Sequence, residues 1–283
     1  MNSRIAYIAL ATSAACVACA HPAAVGSFAT AAAHTTMQFP QVAGDLYESC
    51  VRFEAYRQGR SPTQWYEREG LTHACASRDS AVKRVVAVNR VLTGYLNALA
   101  ALADDRVVAY DRQLDKVGAA LINDAHLDKA RVKAASGLAA FVATAATEGY
   151  RRRQLEQAIA SQNDNVRDVV ETLREVIATD YANALDVEGE AMTVFYRSLL
   201  QEHAARDPLG AVLVRDVRDE RATQLADRRQ TLSDYAEALR DVRAGHQRLF
   251  ASRHEMDSSA LAADLAAYAE RLQAVIVAFQ KAY

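Results

Sequence analysis

The sequence predicts an all-α protein, an elongated antiparallel bundle of long helices with coiled-coil-like seams, and three observations carry that expectation. The four prolines stand at 22, 40, 62 and 208, which leaves one helix breaker between Thr63 and Tyr283. Alanine, leucine, arginine and glutamate, all strong helix formers, fill that span, and no strand-like alternation bounded by turn residues interrupts it. Apolar residues also recur at alternating steps of three and four. One column runs Val82, Val85, Asn89, Leu92, Leu96, Leu99, Ala103; the same stepping recurs from Leu232 through Tyr235, Leu239, Val242 and His246 to Leu249, and from Leu261 through Leu265, Tyr268, Leu272 and Val275 to Phe279. A 3.5-residue repeat is the seam of helices crossing at about 20°, and runs this short predict a bundle seam, not a free coiled coil.

The chain opens with one positive charge at Arg4 and continues with a small, apolar stretch from Ile5 to Ala15. A basic start, a short apolar run and small residues at its end are the layout of an export signal, expected over 1–18. The stretch falls short of the roughly 20 residues that cross a membrane. Two outcomes stay open at Cys16-Val17-Ala18-Cys19-Ala20-His21. Ala18-Cys19-Ala20 fits the small-x-small pattern of a general signal peptidase, which would leave His21 first. Val17-Ala18-Cys19 resembles the lipobox of bacterial exported lipoproteins, with Cys16 where that class usually carries leucine. The resemblance implies acylation of Cys19 and attachment to a membrane through the lipid. Ala20 lacks the aspartate that retains such proteins at the inner membrane, so the implied address is the outer membrane, facing the periplasm.

Residues 19–39, rich in alanine, threonine and serine, read as a flexible tether, and 40–283 as one elongated helical domain. A helix is expected from about Val42 to Arg57, stopped near Gly59. Ser61-Pro62-Thr63-Gln64 reads as a capping box with proline at the first helical position. Helices follow at about 77–104, 106–122, 126–161, 166–206, 209–252 and 258–281. Composition places turns at the polar run Ser161-Gln162-Asn163-Asp164-Asn165 and at Asp207-Pro208. Four Tyr-x-x-x-Leu pairs, starting at Tyr95, Tyr181, Tyr235 and Tyr268, have no fixed period and are expected to pack on helix faces with each hydroxyl at the edge.

Cys50 and Cys75 remain once the signal cysteines are set aside. In an oxidising compartment two cysteines predict a disulfide, here bounding the N-terminal part of the domain, 40–76; the other reading is two separate buried thiols. Six of the 20 aromatic residues lie between Phe39 and Tyr66, including Trp65, the single tryptophan. Trp65, Tyr66 and Tyr56 are therefore the candidate partner-binding residues, since rigid aromatics anchor interfaces, unless they form a small satellite core.

Other chemistry is thin. No two of the seven histidines have the i, i+4 spacing of a helical metal site. Glu188 and Glu190 lack the Glu-x-x-His partners of carboxylate metal bundles, and neither nucleophile-elbow, Walker nor dinucleotide fingerprints occur. A formal net charge of −2, with signs mixed along the chain, gives no footprint for nucleic acid. Neither metal nor cofactor is expected. Asn89 and Asp180 interrupt apolar columns and read as register devices, Asp180 needing an arginine. In length and helicity the chain resembles long-helix pore-forming toxins, which hide an apolar segment in the soluble form; Ala134–Ala146 is the corresponding candidate, but it is only 13 residues of mostly small side chains, better suited to close helix packing. The expected function is a non-enzymatic scaffold, spacer or partner-binding module at the cell envelope; the alternatives are a soluble periplasmic ligand-binding protein and a membrane-active one.

Overall fold

The computed structural model describes residues 20–61, 68–109, 129–150 and 152–282. The fold is all-α, with no strand among the described residues. Its helices are α1 (Ala20–Thr36), α2 (Phe39–Arg57), α3 (Arg68–Ala74), α4 (Ala76–Ala103), α5 (Lys129–Thr147), α6 (Leu155–Glu175), α7 (Ala182–His203), α8 (Pro208–Ala251) and α9 (Ser259–Ala282). A single 3₁₀ turn, Arg152–Gln154, precedes α6, and a π-helical segment, Val176–Tyr181, joins α6 to α7 without a break. Consecutive hairpins α5–α6, α7–α8 and α8–α9 pack along their lengths as an antiparallel bundle. Helix α8 has 44 residues, and at about 1.5 Å per residue it is roughly 66 Å long.

The expected tether is instead helix α1, inserted between α4 and α9. Val25, Phe28, Ala29, Ala32 and Ala33 are fully buried. Its residues look like linker because their side chains are small, and small side chains are what a helix needs to enter a narrow groove. At its centre the Phe28 ring sits against Gly245 of α8, where a Cβ would lie 2.2 Å from the ring, and meets Tyr268 of α9 edge-on.

The three apolar columns all face inward: every position is buried except Tyr268 and Val275, which are half-buried. Asn89 works as a pairing device, donating through Nδ2 to the Thr36 carbonyl at 2.9 Å and so tying α4 to the end of α1. Three of the four Tyr-x-x-x-Leu tyrosines lie deeper than the expected edge. Tyr95, Tyr181 and Tyr235 are fully buried, and each hydroxyl finds a partner inside: His246, Asp45 and the Thr35 carbonyl.

Three helix boundaries differ from the sequence reading. The helix expected over 126–161 stops at Thr147, because Gly149 takes φ +64° and lets the Tyr150 N–H turn back to the Ala145 carbonyl at 2.9 Å. The polar run 161–165, expected as a turn, lies within α6. Its amides bond one another and α8: Asn165 Nδ2 donates to Gln162 Oε1 at 2.9 Å and Asn163 Nδ2 to Gln247 Oε1 at 3.3 Å. Asp207-Pro208 does open a helix as expected, Asp207 accepting from the Gly210 N–H at 2.9 Å. Arg106–Ala109, expected to begin a helix, is not helical, and the rest of that helix lies outside the described residues.

The π segment changes the register of everything after it. A π turn adds one residue to the helical repeat, so the column Val166, Leu173 does not continue to Asp180 and Val187. Both of those are exposed, and Tyr181 and Glu188 are buried in their place.

Candidate functional site

The face of α2 turned toward α7 carries Asp45, Ser49, Arg52 and Tyr56, spaced to recur on one side of the helix. Opposite them the shifted register brings Tyr181 and Glu188 inward, and α8 supplies Arg228. The Arg52 guanidinium lies between two carboxylates. Its Nε and Nη2 donate to Glu188 at 2.6 and 3.1 Å, and its Nη1 and Nη2 to Asp45 at 2.9 and 3.2 Å. Arg228 approaches Asp45 at 3.6 Å and Glu188 at 3.5 Å, and the Tyr181 hydroxyl donates to Asp45. Two cations and two anions close on themselves, so the cluster is neutral. Burial alone would push the Asp45 carboxyl up, but the hydrogen bond and charge of Arg52, the Tyr181 hydroxyl and Arg228 outweigh it and hold the carboxyl below its usual range. For Arg52 burial works downward, and the two carboxylates more than reverse it.

Tyr56 continues the same face and is 4% exposed. Its ring packs on Phe195 and Tyr196 of α7, at centroid distances of 5.5 and 6.0 Å. It therefore closes the end of the α2–α7 interface and is not available to a partner, which corrects the expectation placed on it. Trp65 and Tyr66, the other two candidate anchors, lie outside the described residues, as does Cys19.

The Cys50 and Cys75 sulfurs stand at bonding distance, 2.03 Å, with Cα atoms 6.0 Å apart. The bond joins α2 to the residue that precedes α4 and encloses a satellite core of Val51, Ala55, Leu71 and Cys75. Beside it, between α2 and α7, lies a cleft of about 370 Å³ lined by Ser49, Cys50, Phe53, Glu54, Arg78, Asp180, Asn183, Ala184 and Val187. Such a volume is at the lower end of small-molecule sites.

A second polar cluster is sealed in the core between α4, α6 and α8. The Tyr95 hydroxyl is 2.7 Å from His246 Nε2, and His246 Nδ1 is 3.4 Å from Asn163 Oδ1. Burial pulls His246 down to about 4, so its ring is neutral at physiological pH. A neutral ring that accepts from Tyr95 carries its proton on Nδ1, toward Asn163. Since Tyr95 and His246 are both inaccessible, this chain of bonds joins three helices and meets no solute.

Beyond Tyr196 the α7–α8 hairpin buries little. Between Arg197 and Gln224, Ala211 is the one buried residue. Val194, Leu209 and Leu213 are 60%, 73% and 59% exposed, with Val212 and Val217 beside them. Ala134–Ala146 lies in α5, where Ala134, Ala135, Leu138, Val142 and Ala145 are buried, and a Cβ on Gly137 would stand 2.5 Å from Asn165 of α6. Its small residues serve close helix contact. Among the described residues, the helix long and apolar enough to cross a membrane is α4, and 67% of its most apolar window is buried in the bundle. Among the described residues no group of three or more His, Cys, Asp and Glu side chains is placed to hold a metal ion.

Sequence reading missed the ionic cluster and the cleft. The signal was there on α2, where Asp45, Ser49 and Arg52 share the face of Tyr56, a polar stripe on a helix that must also bury Val42 and Leu46. On α7 it was hidden by the π segment. No family model matches the chain, and neither curated proteins nor solved structures show significant similarity to it.

Proposed function

We propose that the protein is a non-catalytic helical module of the bacterial cell envelope, exported, anchored in the outer membrane by a lipid on Cys19, and holding a protein partner in the periplasm. The observation that carries the reading is the bonded Cys50–Cys75 pair, since such bonds persist in oxidising compartments; the signal-like 1–18 segment argues the same way from a separate part of the chain. Long helices locked by a neutral ionic cluster and a sealed core suit a spacer. The free end of the α7–α8 hairpin, with Leu209, Val212 and Leu213 in solvent, is the part left to meet another protein.

The test is the intact mass of the protein recovered from native membranes, with and without reduction and alkylation. A chain beginning at an acylated Cys19 with one protected cysteine pair supports the reading. An unmodified chain beginning at His21 removes the anchor, and two thiols that react without reduction remove the oxidising address.

A further inference from the structure

We propose that the cleft between α2 and α7 is a binding site for a small zwitterion of the amino-acid class, an apolar side chain flanked by a carboxylate and an ammonium group. The inference does not depend on how the protein is anchored. Three features of the cleft carry it.

The first is a pair of unspent opposite charges. Arg78, at the start of α4, and Asp180, in the π segment, both line the cleft, and neither side chain makes a hydrogen bond or ion pair among the described residues. The ionic groups of the neighbouring α2 are already engaged: Asp45, Arg52, Glu54 and Arg57 all make ion pairs. The third ionic group on the wall, Glu54, is spent on Arg57 at 2.7 Å. What remains is one guanidinium and one carboxylate, a complement for one anion and one cation on the same molecule.

The second is uncompensated polarity on a rigid wall. Ser49 is fully buried, lines the cleft, and its Oγ has no hydrogen-bond partner, an expense a structural serine does not normally carry. Asn183, exposed to solvent, lines the cleft from the opposite helix. Between them Phe53, Ala184 and Val187 make an apolar surface, and Val187 is 46% exposed. The Cys50–Cys75 bond fixes the α2 side.

The third is the π segment itself. A regular helix through 176–181 would keep Asp180 and Val187 on the buried column and turn Tyr181 and Glu188 outward. One extra residue reverses both pairs at once, sending Asp180 and Val187 to the cleft and closing the ionic cluster behind it. Such insertions are frequent at functional sites.

The experiment is a saturation-transfer NMR titration of the full mature protein with L-phenylalanine, N-acetyl-L-phenylalanine, which keeps the carboxylate alone, and L-phenylalaninamide, which keeps the ammonium alone. The expected result is binding of phenylalanine with each singly charged analogue at least tenfold weaker. Arg78→Gln should abolish the preference over the amide and leave the preference over the acetyl form; Asp180→Asn should do the reverse. Both side chains lack partners, so both variants should keep the parent's circular dichroism and melting temperature, which separates loss of binding from loss of fold. The proposal is overturned if none of the three probes receives saturation, if the acetyl form binds as well as phenylalanine, or if the two variants leave the preferences untouched.

Discussion

Arg52 and Glu188 are 136 positions apart in sequence and 2.6 Å apart in space, and their side chains are 15% and 4% exposed. A charge so enclosed is tolerable only while its partner is present. Arg52→Met or Glu188→Met should each cost about 3–5 kcal/mol, because each strands an opposite charge in the interior. The double variant Arg52→Met/Glu188→Met leaves Asp45 with Arg228 and should lose clearly less than the two single losses summed. Urea unfolding midpoints of the four proteins make the comparison; strict additivity would mean that the two groups do not depend on each other.

Stability should fall in two stages on the acid side. His246 is pulled down to about 4 by burial, whereas the unfolded chain takes the proton near pH 6.5. Its contribution is therefore complete above about pH 6.5 and is lost as the pH falls toward 4, with a limiting slope of about 1.4 kcal/mol per unit. Asp45 is depressed from its ordinary carboxylate value, so its contribution is present above about pH 3.9 and is lost only at still lower pH. Chemical denaturation across pH 3–8 should show both windows, and His246→Gln should flatten the upper one alone.

Gly245 has no side chain because Phe28 occupies the space. Gly245→Ala should lower stability by about 1–3 kcal/mol through overpacking, despite alanine's better helix propensity. In a Phe28→Leu background, where the ring is gone, the same change should cost little or become favourable. Thermal melts of the four proteins decide this, and an equal loss in both backgrounds would show that the Phe28 contact is not the cause.

The Cys50–Cys75 bond closes a sequence separation of 25 residues, a loop whose restriction in the unfolded chain amounts to about 3 kcal/mol. Reduction, or Cys50→Ala/Cys75→Ala, should lower stability by about that much while leaving far-UV circular dichroism unchanged, because α2 and α4 have their own buried faces. Collapse of the helical signal would mean that the satellite core holds the bundle's N-terminal part together.

The parts of the fold that were legible in the sequence are those where side-chain contrast follows a constant period. The columns from Val82, Leu232 and Leu261 combine large apolar residues inside with charges outside, and they map directly onto α4, α8 and α9. Helix α1 was illegible because contrast fails: alanine and threonine look alike on both faces, and its burial depends on a groove made by distant residues such as Gly245. The site was illegible because the period fails, since one inserted residue at 176–181 sends Asp180 out and Tyr181 in. Gly149, one of several isolated glycines, gave no sign that it would take a positive φ and end a helix, as Gly59 does just past α2.

Ala20, directly after the cysteine that lipidation would claim, is already helical, and Phe28 is locked in the core eight residues later. An acyl chain at Cys19 would therefore have almost no slack. The bundle would stand on the bilayer like a post on a footing, unable to sweep the volume that a leashed domain explores. Its working distance from the lipid would then be set by the length of rigid helices, so that lengthening the module means adding heptads, and a linker inserted before Ala20 would change what it meets.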